Sequence, residues 1–129
     1  MRFGYTIIYV ADVEKTIAFY ESAFKLKSFF IHESKQYGEL DTGAVTLAFA
    51  SETLAESNDI KFLKNTIKEP PAGFEIAFIC DNVFEAYQHA CDQGALSVKK
   101  PTQKPWGQII AYVRDINGIL IELCNPIKQ

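Results

Sequence analysis

Histidine is scarce in this chain: His32 and His89 are the only two among 129 residues. That leaves little material for a zinc site or a histidine-based catalytic centre. His89 falls on the polar side of a helical pattern with Gln88 and Asp92, and His32 lies in a strand pattern beside Glu33 with no paired acid or nucleophile. His89 reads as solvated, and His32 reads as structural, with a general base as the alternative. The three cysteines, Cys80, Cys91 and Cys124, are odd in number and form no C-x-x-C, which excludes a disulfide framework and a zinc knuckle. Each sits in an apolar pattern, where a free thiol acts as a small hydrophobe. Reduced thiols in a cytoplasmic protein are the simplest account. Positive charge is also short, with 13 Lys and Arg against 16 Asp and Glu. No basic stripe exists to release phosphate counterions, so no nucleic-acid partner is expected. Lys99-Lys100 is bounded by Val98 and Pro101 and reads as a solvated strand end. No apolar run approaches the ~20 residues of a membrane span, so no membrane association is expected. The start, Met1 to Tyr5, passes into a strand pattern without the apolar core of a signal peptide. G-x-S-x-G, a phosphate-cradling glycine loop and a readable Ser/His/Asp set are all missing.

What the chain does have is a repeat. Tyr5 to Val10 followed by Asp12-Val13 matches Glu75 to Cys80 followed by Asn82-Val83, a displacement of 70 (Tyr5 to Glu75), which Leu26 and Leu96 keep. Tyr37-x5-Gly43 matches Tyr112-x5-Gly118 at a displacement of 75 (Tyr37 to Tyr112). At 129 residues and 48% hydrophobic content the whole is expected to be one domain. Module one covers about 1–50, a polar connector ending in Pro70-Pro71 covers 51–73, and module two covers about 74–129. Such half-domains bury their faces by packing on one another, and the ligand site of such a protein is expected between them.

Each module reads as strand, helix, then three strands. In the first strand Phe3, Tyr5, Ile7 and Tyr9 share one face and Thr6, Ile8 and Val10 the other. Asp12 is the expected N-cap of a helix whose Val13, Ile17, Tyr20 and Phe24 form an apolar stripe. Strands follow at 29–33, 36–41 and 44–50, with Gly43 in the last hairpin, and a short helix is expected at 60–67. Module two has a strand at 74–80 and a helix capped by Asn82, with Glu85 at the capping-box spacing. Its stripe is Val83, Tyr87 and Ala90, and Gly94 suits the C-terminal cap. Further strands are expected at 96–99, 108–113 and 119–124, with a hairpin turn at Asp115 to Gly118. The five-residue change in displacement falls near Pro101 to Gly107, a longer loop that holds Trp106. A packing aromatic over a sheet edge is the favoured reading of Trp106, and a wall or lid beside a cavity is the alternative.

Asp12 to Tyr20 after a strand, then Pro105-Trp106-Gly107-Gln108 and Arg114-Asp115-x-Asn117-Gly118-x-Leu120-Ile121-Glu122-Leu123, resembles the vicinal oxygen chelate superfamily. This is the glyoxalase/bleomycin-resistance/extradiol-dioxygenase group. The resemblance covers nearly the whole chain and implies an α+β fold in which two tandem βαβββ modules form a curved half-barrel sheet with helices on the outside. Lys25 departs from it, because a glycine usually follows the first helix. Metal enzymes of the family carry a ligand on the first and fourth strand of each module. Carried over, those positions are Tyr5, a residue close to Leu47, Glu75 and Glu122, of which Glu122 alone is the usual type.

Alternation supports an inward pair independently: Glu75, Ala77 and Ile79 share a face, as do Leu120, Glu122 and Cys124. Two facing carboxylates need a cation, a shared proton, a basic ligand group or water between them. The resulting expectation is a small-molecule-binding protein with the standard metal set incomplete and with Tyr5, Glu75, Trp106 and Glu122 as ligand contacts. The alternative is a divalent-metal-dependent lyase or isomerase of the glyoxalase type, with Glu75 and Glu122 as metal ligands. A divalent ion is the one cofactor considered, since carboxylates suit a hard cation. The resemblance further implies a homodimer.

Overall fold

The computed structural model describes residues 1–127, so the last two residues of the expected second module lie outside it. The chain divides into two compact units, residues 1–65 and residues 66 onward. Unit one runs β1 (Tyr5–Val10), α1 (Val13–Phe24), β2 (Lys27–Ile31), β3 (Tyr37–Asp41), β4 (Thr46–Ser51) and α2 (Glu52–Ser57). Unit two runs β5 (Ile76–Ile79), α3 (Val83–Asp92), β6 (Leu96–Gln103), β7 (Ile109–Arg114) and β8 (Leu120–Cys124). The sheets have equivalent orders, β1-β4-β3-β2 and β5-β8-β7-β6. In each, the first strand pairs in parallel with the last and the other pairings are antiparallel. The fold is thus α+β, built from two βαβββ modules with open four-stranded mixed sheets.

The helices begin where short polar side chains satisfy orphan amides. Asp12 Oδ1 accepts from the Lys15 amide at 2.9 Å, and Asn82 Oδ1 from the Glu85 amide at 3.1 Å. The α1 stripe is buried at Val13, Ile17 and Tyr20, and that of α3 at Val83, Tyr87 and Ala90. Tyr20 meets Phe49 of β4 at 4.9 Å between ring centroids, both fully buried. Truncating either ring to alanine is a cavity mutation of about 3–5 kcal/mol. Lys25 ends α1 at φ 57°, ψ 30°, so a lysine holds the left-handed place that glycine would take without strain.

Each sheet has one face under its helix and one face free of it. A side chain at Gly38 would meet Val13 and Ile17 of α1, so Gly38 and its partner Phe49 face the helix. Alternation puts Tyr37 and Glu39 of β3, Ala48 and Ala50 of β4, and Tyr5, Ile7 and Tyr9 of β1 on the other face. In unit two Tyr87 of α3 bonds Ser97, whose partner is Val113. The helix-free face therefore carries Tyr112 and Arg114 of β7, Leu120, Glu122 and Cys124 of β8, and Ala77 and Ile79 of β5.

Several expectations need correction. The short helix lies at Glu52–Ser57, not at 60–67, because Ser51 Oγ caps it by accepting from the Leu54 amide at 3.0 Å. Residues 60–66 form no helix. Phe62 packs edge-on against Tyr9 and Asn65 donates to the Tyr9 carbonyl, which holds that segment along β1. Strand β6 runs through Pro101 to Gln103, which an edge position permits because a missing amide hydrogen costs no ladder bond there. Two register shifts against β7 absorb the irregularity. Tyr37 and Tyr112 are not equivalent. The partner of Tyr112 is Glu122 and the partner of Glu39 is Ala48, so Glu39 stands where Tyr112 does.

Candidate functional site

Glu122 is held by the hairpin β7–β8, in which Asp115 Oδ1 accepts from the amides of Asn117 at 2.8 Å and Ile119 at 2.9 Å. Gly118 turns the chain at φ 85°, and a side chain there would lie 2.5 Å from both Arg114 Nη2 and the Thr66 carbonyl oxygen. Arg114, 9% exposed, uses that space. Its guanidinium donates to the carbonyls of Gly118, Ile67, Thr66 and Glu69 at 2.9, 3.4, 3.2 and 2.5 Å. The Arg-Asp-x-Asn-Gly run is thus a scaffold: it fixes the hairpin and pins the segment that leads to Glu75. Sequence reasoning quoted this run and missed that role.

Glu75 precedes β5 rather than lying within it, so no ladder bond of that strand holds it. Its carboxyl nevertheless lies near enough to the carboxyl of Glu122 and the hydroxyl of Tyr112 to feel both. Tyr112 donates to Glu122 Oε1 at 2.9 Å. The structure therefore brings Glu75 and Glu122 together on the helix-free face, as the alternation argument required, and adds Tyr112 as a third member. Partial desolvation pushes the Glu75 acid upward from its usual range, and hydrogen bonding to Glu122 and that residue's charge push the same way. The Tyr112 hydroxyl opposes them. The phenol of Tyr112 is driven well above the usual tyrosine range by burial and then by Glu122, so it remains a hydrogen-bond donor at any ordinary pH. Burial, then Glu122, pushes the nearby Cys124 thiol up to about 11, which keeps it protonated. The ion pairs among the described residues are Lys35–Glu14 and Lys64–Glu52, so no described lysine, Lys104 included, pairs with Glu75 or Glu122.

The other expected positions lie elsewhere. Tyr5 is 58% exposed on the helix-free face of unit one, in the place that Glu75 takes in unit two. Leu47 faces α1 and is buried. The counterpart of Glu122 is Ala48, since Ala77 pairs Glu122 as Ile7 pairs Ala48. The displacement is 73 at β3 (Glu39 to Tyr112) and 74 at β4 (Ala48 to Glu122), since the hairpin of unit two is one residue longer, so the displacement of 75 taken from Tyr37 and Tyr112 fell on Leu47. Trp106 is less covered than a packing aromatic would be. It is 60% exposed in the β6–β7 turn and donates to Gln108 Oε1 at 2.9 Å, and Gln108 in turn donates to the Asn125 carbonyl. It belongs to the end of β8 that points away from Glu75. His32 lies in the turn after β2, bonded to Ser34 Oγ, and not in a strand.

A metal set of the family type needs donors on the first and fourth strands of both modules, and Ala48 offers none. Among the described residues no three His, Cys, Asp or Glu side chains stand together as a metal-binding group. The residues present do not fit that set.

Comparison with known proteins agrees with this architecture. The profile of the Glyoxalase/Bleomycin resistance protein/Dioxygenase superfamily matches residues 2–123. No curated protein matches the chain in sequence. Among solved structures, a glyoxalase-related enzyme from Fulvimarina pelagi is similar with TM-score 0.83 and 16% identity, over 98% of this chain and 88% of that one. A glyoxalase/bleomycin resistance protein/dioxygenase family enzyme from Burkholderia phytofirmans PsJN has TM-score 0.76 and 20% identity, over 95% and 96%. TioX from Micromonospora sp. ML1 has TM-score 0.72 and 17% identity, over 97% and 98%. At such identities the structures speak for the fold alone. The profile, spanning nearly every residue, decides the family: the chain belongs to the Glyoxalase/Bleomycin resistance protein/Dioxygenase superfamily.

Proposed function

We propose that this protein binds a small molecule on the helix-free face of unit two, that Glu75 and Glu122 grip a donor group of that ligand, and that the protein works as a homodimer without a resident metal. The carrying observation is the hydrogen bond of Tyr112 to Glu122, with Glu75 near enough to feel both, on the face of unit two that α3 leaves free. Facing acids without a cation hold one proton between them or take a partner that supplies donors. A ligand amine supplies several N–H groups and a positive charge at once. Trp106, exposed and tethered through Gln108 at the end of β8 away from Glu75, is in this reading a contact for the far part of an extended ligand.

The test is a melting-temperature screen with primary amines, neutral amides and carboxylates, run on the parent and on Glu122→Gln. Amine-bearing compounds should stabilise the parent and lose most of that effect in the variant. An absence of hits, or hits of equal size in both proteins, overturns the reading. Titrations with Mn²⁺, Ni²⁺, Zn²⁺ and Mg²⁺ accompany it. Stoichiometric metal binding abolished by Glu122→Gln would replace this reading with that of a metal-dependent lyase or isomerase of the glyoxalase type.

A further inference from the structure

The helix-free face of unit one holds a second arrangement of acid and rings. Glu39 sits in the middle strand β3, with Phe30 of β2 as its partner on one side and Ala48 of β4 on the other. Phe30 is there because of a bulge: the register of β2 against β3 shifts between Ser28 and Phe30. Without that extra residue Phe29 would oppose Glu39. Bulges commonly re-aim a side chain in this way. Tyr37, two residues before Glu39 on the same face, donates to Glu39 Oε2 at 2.7 Å, leaving Oε1 available. The rings of Phe30 and Tyr37 have centroids 6.0 Å apart and planes inclined by 49°. The two rings are tilted rather than stacked flat, on the same face as the carboxylate. Ala48 and Ala50 form a low floor between these rings and the side chains of β1. Among the described residues no lysine, arginine or histidine pairs with Glu39.

We infer that Phe30, Tyr37 and Glu39 of unit one form a site for a small quaternary or heavily methylated ammonium group. The reasoning is chemical. Aromatic faces attract a cation through their quadrupole, and a carboxylate adjoining them supplies the compensating charge. A quaternary ammonium has no N–H to donate, so it gains nothing from the hydrogen-bonding geometry at Glu75 and Glu122. It gains most where rings flank a single negative charge. Tyr37 contributes its ring to the cation and its hydroxyl to the carboxylate, which holds the acid beside the rings. The two sites thus divide by ligand type: hydrogen-bond donors for unit two, methylated cations for unit one.

The test uses the full chain and calorimetric titration with choline, tetramethylammonium and the neutral choline isostere 3,3-dimethylbutan-1-ol. Both cations should bind, and the isostere should bind about tenfold more weakly or not at all. Glu39→Gln should weaken the cations about tenfold, and Phe30→Leu about threefold or more. Tyr37→Phe retains the ring and should stay within about threefold of the parent. Cation binding kept in Glu39→Gln and lost in Glu122→Gln would assign the cation to the acidic pair, which separates failure here from failure of the unit-two reading. Circular dichroism melts on each variant establish folding, and Phe30→Leu carries the test if Glu39→Gln does not fold. No binding of either cation, equal binding of the isostere, or a loss caused by Glu122→Gln in place of Glu39→Gln overturns the inference.

Discussion

At the scale of single residues the charge on Glu75 is the most exposed to experiment. Its acid is raised by partial desolvation first and then by Glu122, so the ionised form sits less comfortably in the folded chain than in the unfolded one. The sign follows directly. Ionisation of Glu75 opposes folding above its raised folded titration point, and the penalty fades as pH falls through that point toward the ordinary carboxylate range. Glu75→Gln removes the charge and keeps an amide that can donate to Glu122. It should stabilise the protein at pH 7 by about 0.3–0.5 kcal/mol, a like-charge cost reduced by solvent screening because Glu75 is exposed. Urea unfolding at pH 7 and again near pH 4 measures this, and the gain should shrink at the lower pH. A variant less stable than the parent at pH 7 would show that the pair is held together by something other than tolerated repulsion.

At the scale of elements, much of the chain was legible because local chemistry settles it. Asp12 and Asn82 read as caps and are caps, since a short acceptor before an apolar stripe has few other uses. The strand faces followed from alternation, and the place of Glu75 and Glu122 on one face followed with them. Hairpin length was harder. The pairing of Tyr112 with Glu122 follows from a turn centred on Asn117 within the predicted Asp115 to Gly118 turn, yet a fixed displacement between copies concealed it. Glu39 was passed over because its partners, Phe30 and Ala48, are set by a bulge and a hairpin length that periodicity does not encode. Lys25 gives a prediction at this scale. At φ 57° a side chain costs about 1 kcal/mol relative to glycine, so Lys25→Gly should stabilise the protein by about that amount. Thermal or denaturant melts decide it. A destabilised Lys25→Gly would mean that the lysine makes a compensating interaction at the end of α1.

At the scale of the whole molecule, the edges of the sheets differ in how they are protected. The β6 edge carries Lys99, Lys100 and Pro101, and the β2 edge begins with Lys27, the charges and proline by which exposed edges avoid pairing. The other two edges, β1 and β5, hold no charged residue at all. They expose Tyr5 and Ile7 on one and Ile79, 70% exposed, on the other. Uncharged edges with apolar side chains are where a further chain attaches, and since Phe62 and Asn65 already lie against β1, β5 is the edge the proposed homodimer would first cover. Sedimentation equilibrium across a wide concentration range should then return twice the 14.5 kDa chain mass. Ile79→Lys places a charge on the bare β5 edge without touching the helix-covered core and should shift the population toward monomer, with its circular dichroism unchanged. A parent that sediments as monomer at every concentration rejects the dimer and leaves the apolar edges for a ligand or a different chain. A dimer indifferent to Ile79→Lys moves the interface away from β5 and leaves β1 to be tested by Ile7→Lys.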